Sequence, residues 1–274
     1  MAKLKNIKIS SPLIIFLISL YLIVPLLLTF LYSMFNEWTT IVPTGFTLKY
    51  YKELFSDQIF ITALGRSLII CVFPIIITGI AILLAMFVIV LYKPKWDKYI
   101  QAFCLIPYAL QGIILATSLI SLYVGSGSIL SNRIFLLVVA YCVIILPYMY
   151  QGIKNSITGV DAINLIEAAE VLGVTKIYAF FRIVVPNILS GITISAMLSM
   201  SMIFGDFAIV NILAGGQFQT TQVYLQKKLA QSGQMSSATI MILFICTLMI
   251  SLIVFFIKKK DKTMVNSKDL IEEQ

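Results

Sequence analysis

Few side chains in this 274-residue sequence could do chemistry, and their types narrow the choice quickly. There is no histidine, which removes Ser-His-Asp catalysis, HExxH metal sites and His-ligated haem or zinc. Cys71, Cys104, Cys142 and Cys246 all fall inside apolar runs, with no CxxC among them. They read as small buried hydrophobes rather than a disulfide or metal framework. No two glycines stand five apart, so the GxxxxGK[ST] cradle for ATP phosphates is absent. What remains is one carboxylate, Asp206, in the otherwise apolar stretch 187–212, with Asn211 five residues on. A single acid cannot run two-aspartate peptide hydrolysis unless a partner chain supplies the second. It can attract a cation. The chain is therefore expected not to be an enzyme and to hold no metal or cofactor of its own.

The elements that position Asp206 are dictated by composition. Sixty per cent of the residues are hydrophobic, 12% are charged, and the mean hydropathy is +1.00. A soluble fold must cover its surface with polar groups, so this balance belongs in a membrane. Six apolar runs are long enough to cross the bilayer as helices, near 12–35, 66–92, 100–123, 133–152, 187–212 and 235–257. Their residues do not alternate apolar with polar, which excludes a β-barrel. The run after Lys3, Lys5 and Lys8 is too long for a signal-peptide core and lacks an A-x-A site, so it stays as a helix. The expected fold class is an all-α membrane protein built as one transmembrane domain.

Lysine and arginine placement sets the orientation. With the N-terminus in the cytoplasm, 14 of the 20 basic residues fall in inner segments and 6 in outer ones. Both termini are expected inside. The net charge of +8 is then a topology signal, and no nucleic-acid partner is needed to explain it. The KKKDK run at 258–262 reads as a stop-transfer signal. Pro25, Pro74, Pro107 and Pro147 fall within spans, where each removes a backbone donor and bends its helix. Gly191, Ser195 and Ser199 form a small-residue row that lets another helix approach closely.

The one sizeable inner loop runs from 153 to 186. Asp161 is expected to cap a helix through Glu167-Ala168-Ala169 that stops at Gly173, a residue suited to a left-handed C-terminal cap. A second amphipathic stretch, with Ile177, Phe180, Phe181 and Val184, leads to Pro186. Together they make a cytoplasmic knob whose tip can enter a groove on a partner.

Glu167-Ala168-Ala169, three residues, Gly173, nine residues, Ile183, one residue and Val185-Pro186 resemble the EAA loop of ABC-importer permeases. The one departure is Val185 for leucine. The resemblance implies the type I importer permease fold. It makes Glu167, Ala168, Ala169, Gly173, Ile183 and Pro186 the residues that couple to a cytoplasmic ATPase. It further implies a second permease subunit, identical or homologous, two ATPase subunits that bind ATP and Mg²⁺, and an extracellular or periplasmic binding protein. The location implied is a bacterial inner or plasma membrane, with membrane lipid as the remaining partner. Gly205-Asp206-Phe207 and Leu213-Ala214-Gly215-Gly216 are similar to the polyamine branch of these permeases, and share some texture with ferric-iron and phosphonate permeases. An ion-coupled carrier or channel working alone would instead call for several intramembrane ionisable groups or an internal repeat.

Asp206 and Asn211 are the pathway candidates. An intramembrane charge costs roughly 2.5–3.5 kcal/mol on insertion scales, so Asp206 either lines a polar route or sits solvated at the outer rim. Gln217, Gln219, Thr220, Thr221 and Gln222 form a polar outer loop that either meets the binding protein or serves as a solvated connector. Trp38, Tyr50 and Tyr51 are expected to be interfacial anchors.

Overall fold

Backbone polar groups in hydrocarbon must be paired within their own segment, so the apolar runs become helices. A computed structural model of the chain describes residues 7–38, 43–110, 112–125, 131–249 and 251–252. In chain order it has α1 (Ile7–Ser33), β1 (Phe35–Glu37), β2 (Thr44–Phe46), α2 (Lys49–Ser56), α3 (Gln58–Leu91), α4 (Asp97–Ala109) and α5 (Gly112–Tyr123). Then follow α6 (Arg133–Gly159), α7 (Ala162–Val171), α8 (Lys176–Ala179), α9 (Val185–Phe204), α10 (Ala208–Leu213), α11 (Thr221–Leu229) and α12 (Gly233–Met249).

Among the described residues, α1, α3, α6 and the run 176–204 are each long and apolar enough to cross a membrane. The expected third span is broken. Pro107 stands near the end of α4, and α5 leaves at 93° to it. The expected fifth span is shorter than 187–212, because α9 stops at Phe204 and α10 starts anew at Ala208. Part of the expected sixth span, together with the 258–262 basic run, Lys3 and Lys5, lies outside the described residues.

The chain packs as two units. One comprises residues 1–61 and 224–248. In it, β1 and β2 pair antiparallel with Phe35 opposite Phe46, a small ladder that the helical pattern did not announce. Trp38 packs tilted against Tyr32 and edge-on against Phe35, at 5.9 and 5.8 Å between ring centroids. Tyr51 shares a 2.6 Å hydrogen bond with Ser33, and Tyr50 donates to the Asn36 carbonyl, so these aromatics brace the hairpin. Asp57 caps α3 by accepting from the Ile59 N–H at 2.9 Å. It also accepts from Tyr224 at 2.7 Å and stands 3.9 Å from Lys228. Burial pushes the Asp57 carboxyl up, but these hydrogen bonds and the lysine charge outweigh it and hold the group below its ordinary value.

The other unit, chiefly residues 62–223 with the chain from 249 onward, is organised around the α6–α9 crossing. A Cβ placed on Gly152 would overlap Ser195 Oγ, and one on Gly191 would overlap Ser156 Oγ. The two glycines thus admit the two serines reciprocally, four residues apart on each helix. Ser156 and Ser195 each turn their hydroxyl back to the carbonyl four residues earlier, Gly152 and Gly191, at 2.8 Å, so close approach leaves no orphaned donor. The stripe continues on α9 through Ser199 and Ile203 and on α6 through Ile145, Met149 and Ile153, all buried. Opposite faces keep Leu189, Ile194 and Leu198 exposed, the pattern of helices meant for lipid or a neighbouring subunit.

Candidate functional site

The inner loop is built from its local turns. After α6, which runs seven residues beyond the expected end of its span, the chain reverses at Asp161 in a left-handed conformation (φ 50°). Asp161 does not cap α7. Its carboxylate accepts from the Asn164 amide instead, because the left-handed backbone carries the side chain away from the helix N–H groups. Ala162, Ile166 and Ala169 form the buried face of α7, packed on the start of the next helix. Gly173, at φ 82°, ends α7 as expected. Its N–H donates to the Glu170 carbonyl at 2.9 Å and the Val174 N–H reaches the Ala169 carbonyl at 3.0 Å, the paired bonds of a Schellman cap.

Ala169 therefore faces inward, while Glu167 and Ala168 face outward. Beside them, Val171 and Leu172 are 87% and 83% exposed. The second amphipathic stretch is not a separate helix of the knob. It runs from α8 through a wide π turn, Phe180–Val184, directly into α9. Pro186 explains the turn, since its ring displaces the carbonyl four residues earlier and it lacks an N–H to pair there. Ile183 is half-buried within the turn and Pro186 is exposed. Phe180 and Phe181 pack on Phe87 of α3 at 5.2 and 5.4 Å between centroids. The loop is thereby tied to α3 by rings, to α9 by continuous backbone and to α6 by the Asp161 turn.

Above it, Lys154 bridges α6 to α4, with its ammonium 2.8 Å from Asp97 Oδ2 and 3.0 Å from Gln101 Oε1. Tyr150 donates to the other Asp97 oxygen at 3.0 Å.

The second region lies where the helices break. Asp206 sits between α9 and α10 rather than within a span, and its Oδ2 accepts from the Ile209 N–H at 3.1 Å and from Tyr141 at 2.8 Å. These bonds fix the carboxylate at the wall of a cavity of about 320 Å³. Tyr108 at the end of α4, Tyr148 of α6 and Met202 of α9 share that wall. Gly112 closes one side, where any Cβ would come 2.7 Å from Ile209 Cδ1. Asn211 is exposed on α10 and does not join the cavity lining, so the two pathway candidates are not brought together. The polar loop 217–222 is packed at its C-terminal end. Thr220 and Thr221 are buried; the Thr221 and Ser67 hydroxyls share a 2.9 Å hydrogen bond, and the Thr221 N–H donates to the Ser67 hydroxyl at 2.9 Å.

Sequence reasoning missed Tyr141, Tyr148, Tyr108 and Gly112. A signal existed for two of them: Tyr141 and Tyr148 are seven apart, hence on one face of α6 two turns apart.

Residues 77–262 match the family described as binding-protein-dependent transport system inner membrane component. The spermidine/putrescine transport system permease protein PotC of Haemophilus influenzae is 22% identical over 204 residues, covering 74% of this chain and 78% of that protein. A probable sulfate transport system permease protein, cysT of Prototheca wickerhamii, is 24% identical over 247 residues, covering 84% and 92%. A bacterial ABC transporter involved in import of the acidic polysaccharide alginate has a chain of the same fold. Its TM-score is 0.66 at 13% identity, covering 93% of this chain and 96% of that one.

Proposed function

The chain belongs to the binding-protein-dependent transport system inner membrane components, a multi-pass permease family of ABC importers, and on that premise we propose how it couples and what it carries. The outward face of α7 is the contact for a cytoplasmic ATPase subunit. One observation carries this reading: Glu167 and Ala168 are exposed beside Val171 and Leu172, two aliphatic side chains left almost wholly uncovered on a capped, anchored helix. Aliphatic groups held out on a rigid tip are what a complementary groove buries. ATP is bound and hydrolysed by that partner, with Mg²⁺. Closure of two such ATPases displaces α7, and the displacement passes to α3 through Phe87, Phe180 and Phe181 and to α9 through the π turn. A second permease subunit completes the pathway, and a binding protein outside delivers the substrate.

The substrate we propose is a polyamine. Support comes from Asp206, fixed at the cavity wall by Tyr141 and the Ile209 N–H, and from the likeness to a spermidine/putrescine permease. A carboxylate lowers the barrier for an ammonium group crossing a low-dielectric path. The likeness to a sulfate permease keeps an oxyanion as the reading to be tested against it. Labelled spermidine, putrescine and sulfate offered to membrane vesicles containing the complete transporter decide between them. Polyamine uptake that requires a hydrolysis-competent ATPase and survives collapse of ion gradients supports the proposal; sulfate uptake without polyamine uptake overturns the substrate.

A further inference from the structure

Two Pro-Tyr pairs, Pro107-Tyr108 and Pro147-Tyr148, stand in α4 and α6. The rings of Tyr108 and Tyr148 meet edge to face, 5.5 Å between centroids and 70° between planes. Both tyrosines line the cavity that Asp206 borders, and the rest of the described wall is apolar, mainly Leu110, Ile113, Ile144, Met202 and Ile209. Among the described residues no lysine or arginine is in that wall, so an anion finds no countercharge there. A sugar would need many hydrogen-bonding groups, and a hard metal ion would need several oxygen donors besides one carboxylate. An alkyl-ammonium group finds both of its requirements. The ring faces carry negative π density that attracts a cation, and the carboxylate supplies a full charge. Methylene segments suit the aliphatic walls. An edge-to-face pair also leaves the ring that offers its edge with both faces uncovered by its partner.

We infer that Tyr108, Tyr148 and Asp206 form a binding station for one ammonium group of a flexible polyamine on its way through the membrane. The inference rests on the polyamine reading above and adds the tyrosines as specificity-determining residues. Asp206 contributes charge, and the rings contribute preference for a cation attached to an alkyl chain.

The test uses the whole transporter, with its partner permease, ATPases and binding protein, reconstituted in proteoliposomes. Labelled spermidine uptake is measured at saturating loaded binding protein for the wild type, Tyr108→Leu, Tyr148→Leu and Tyr148→Phe. Stimulation of ATP hydrolysis by the loaded binding protein is recorded in parallel. Each leucine variant is expected to lose about tenfold in uptake rate, while Tyr148→Phe, which keeps the ring, stays within about twofold of wild type. ATPase stimulation stays near the wild-type level in all of them. Leucine variants that import spermidine at the wild-type rate overturn the station and leave the polyamine reading standing. Equal losses in Tyr148→Phe and Tyr148→Leu, or loss of ATPase stimulation along with uptake, mark a packing role and also overturn it. A wild-type transporter that imports sulfate and no polyamine overturns both.

Discussion

Gly152 and Ser195 occupy one space: the hydroxymethyl group of Ser195 on α9 lies where a Cβ on Gly152 of α6 would have to be, 2.7 Å from that serine's own Cβ. Gly191 and Ser156 repeat the arrangement one turn away with the roles exchanged. The crossing sets where both helices leave the centre of their unit. It therefore sets the starting points of the inner loop at one end and of the Asp206 break at the other.

Gly152→Ala is expected to destabilise the protein by about 1–3 kcal/mol, the usual cost of forcing an extra methyl into a packed contact. The colliding partner is Ser195, so Gly152→Ala combined with Ser195→Gly should recover much of the loss. Thermal unfolding in detergent checks this. Additive losses in the double variant would mean that the two side chains do not share that space.

Lys154→Ala leaves Asp97 with Tyr150 as its remaining named partner and separates α4 from α6 at their inner ends. The ammonium and carboxylate are 27% and 32% exposed, so solvent screens the pair. The expected loss is about 1 kcal/mol, and it should shrink as salt is raised. Unfolding measured at low and high ionic strength reads both effects.

Asp57 provides the pH dependence. Its folded value lies below the ordinary 3.8, so its hydrogen bonds and ion pair stabilise the folded state fully above about pH 4. That contribution is lost as pH falls below 3.8 and through the lower folded value. Unfolding temperatures between pH 6 and 3 should drop more steeply in the wild type than in Asp57→Asn, which has no carboxylate to protonate. Parallel curves would remove Asp57 from the acid sensitivity.

Asp206→Asn tests the cavity's charge. The amide keeps the size of the side chain, so assembly should persist while polyamine uptake slows by about tenfold or more, in line with a lost charge in a low-dielectric site. Uptake at the wild-type rate would leave Asp206 as a group that only ties Tyr141 to α10.

How much of this was legible depended on whether local chemistry or packing decided the outcome. Gly173 announced itself because a left-handed turn at a helix end is a property of the chain alone. The approach of a second helix to Gly191 and Ser195 could be read from the small-residue row, yet its partner, Gly152, could not. The helix breaks after Ala109 and Phe204 escaped the hydropathy pattern, since 100–123 and 187–212 stay predominantly apolar across them. Only the fold placed Asp206 in a gap between helices, against Tyr141. Asp161 misled for the opposite reason: its type suits a cap, but the turn out of α6 forces it left-handed. Asn211 sits close to Asp206 in sequence, but its place on α10 turns it outward.

The central claim is that the tip of α7 transmits the ATPase stroke, and Gly173 tests it most directly. Among the described residues no neighbour lies within 4 Å of a Cβ placed there, so within this chain a substitution acts through the backbone, at φ 82°. Asparagine tolerates that conformation and a β-branched residue does not. The measurement is ATP-driven substrate uptake by the reconstituted transporter, compared for wild type, Gly173→Asn and Gly173→Val at matched amounts of assembled membrane subunit. Uptake retained in Gly173→Asn and abolished in Gly173→Val is the expected result; normal uptake by Gly173→Val would contradict the account.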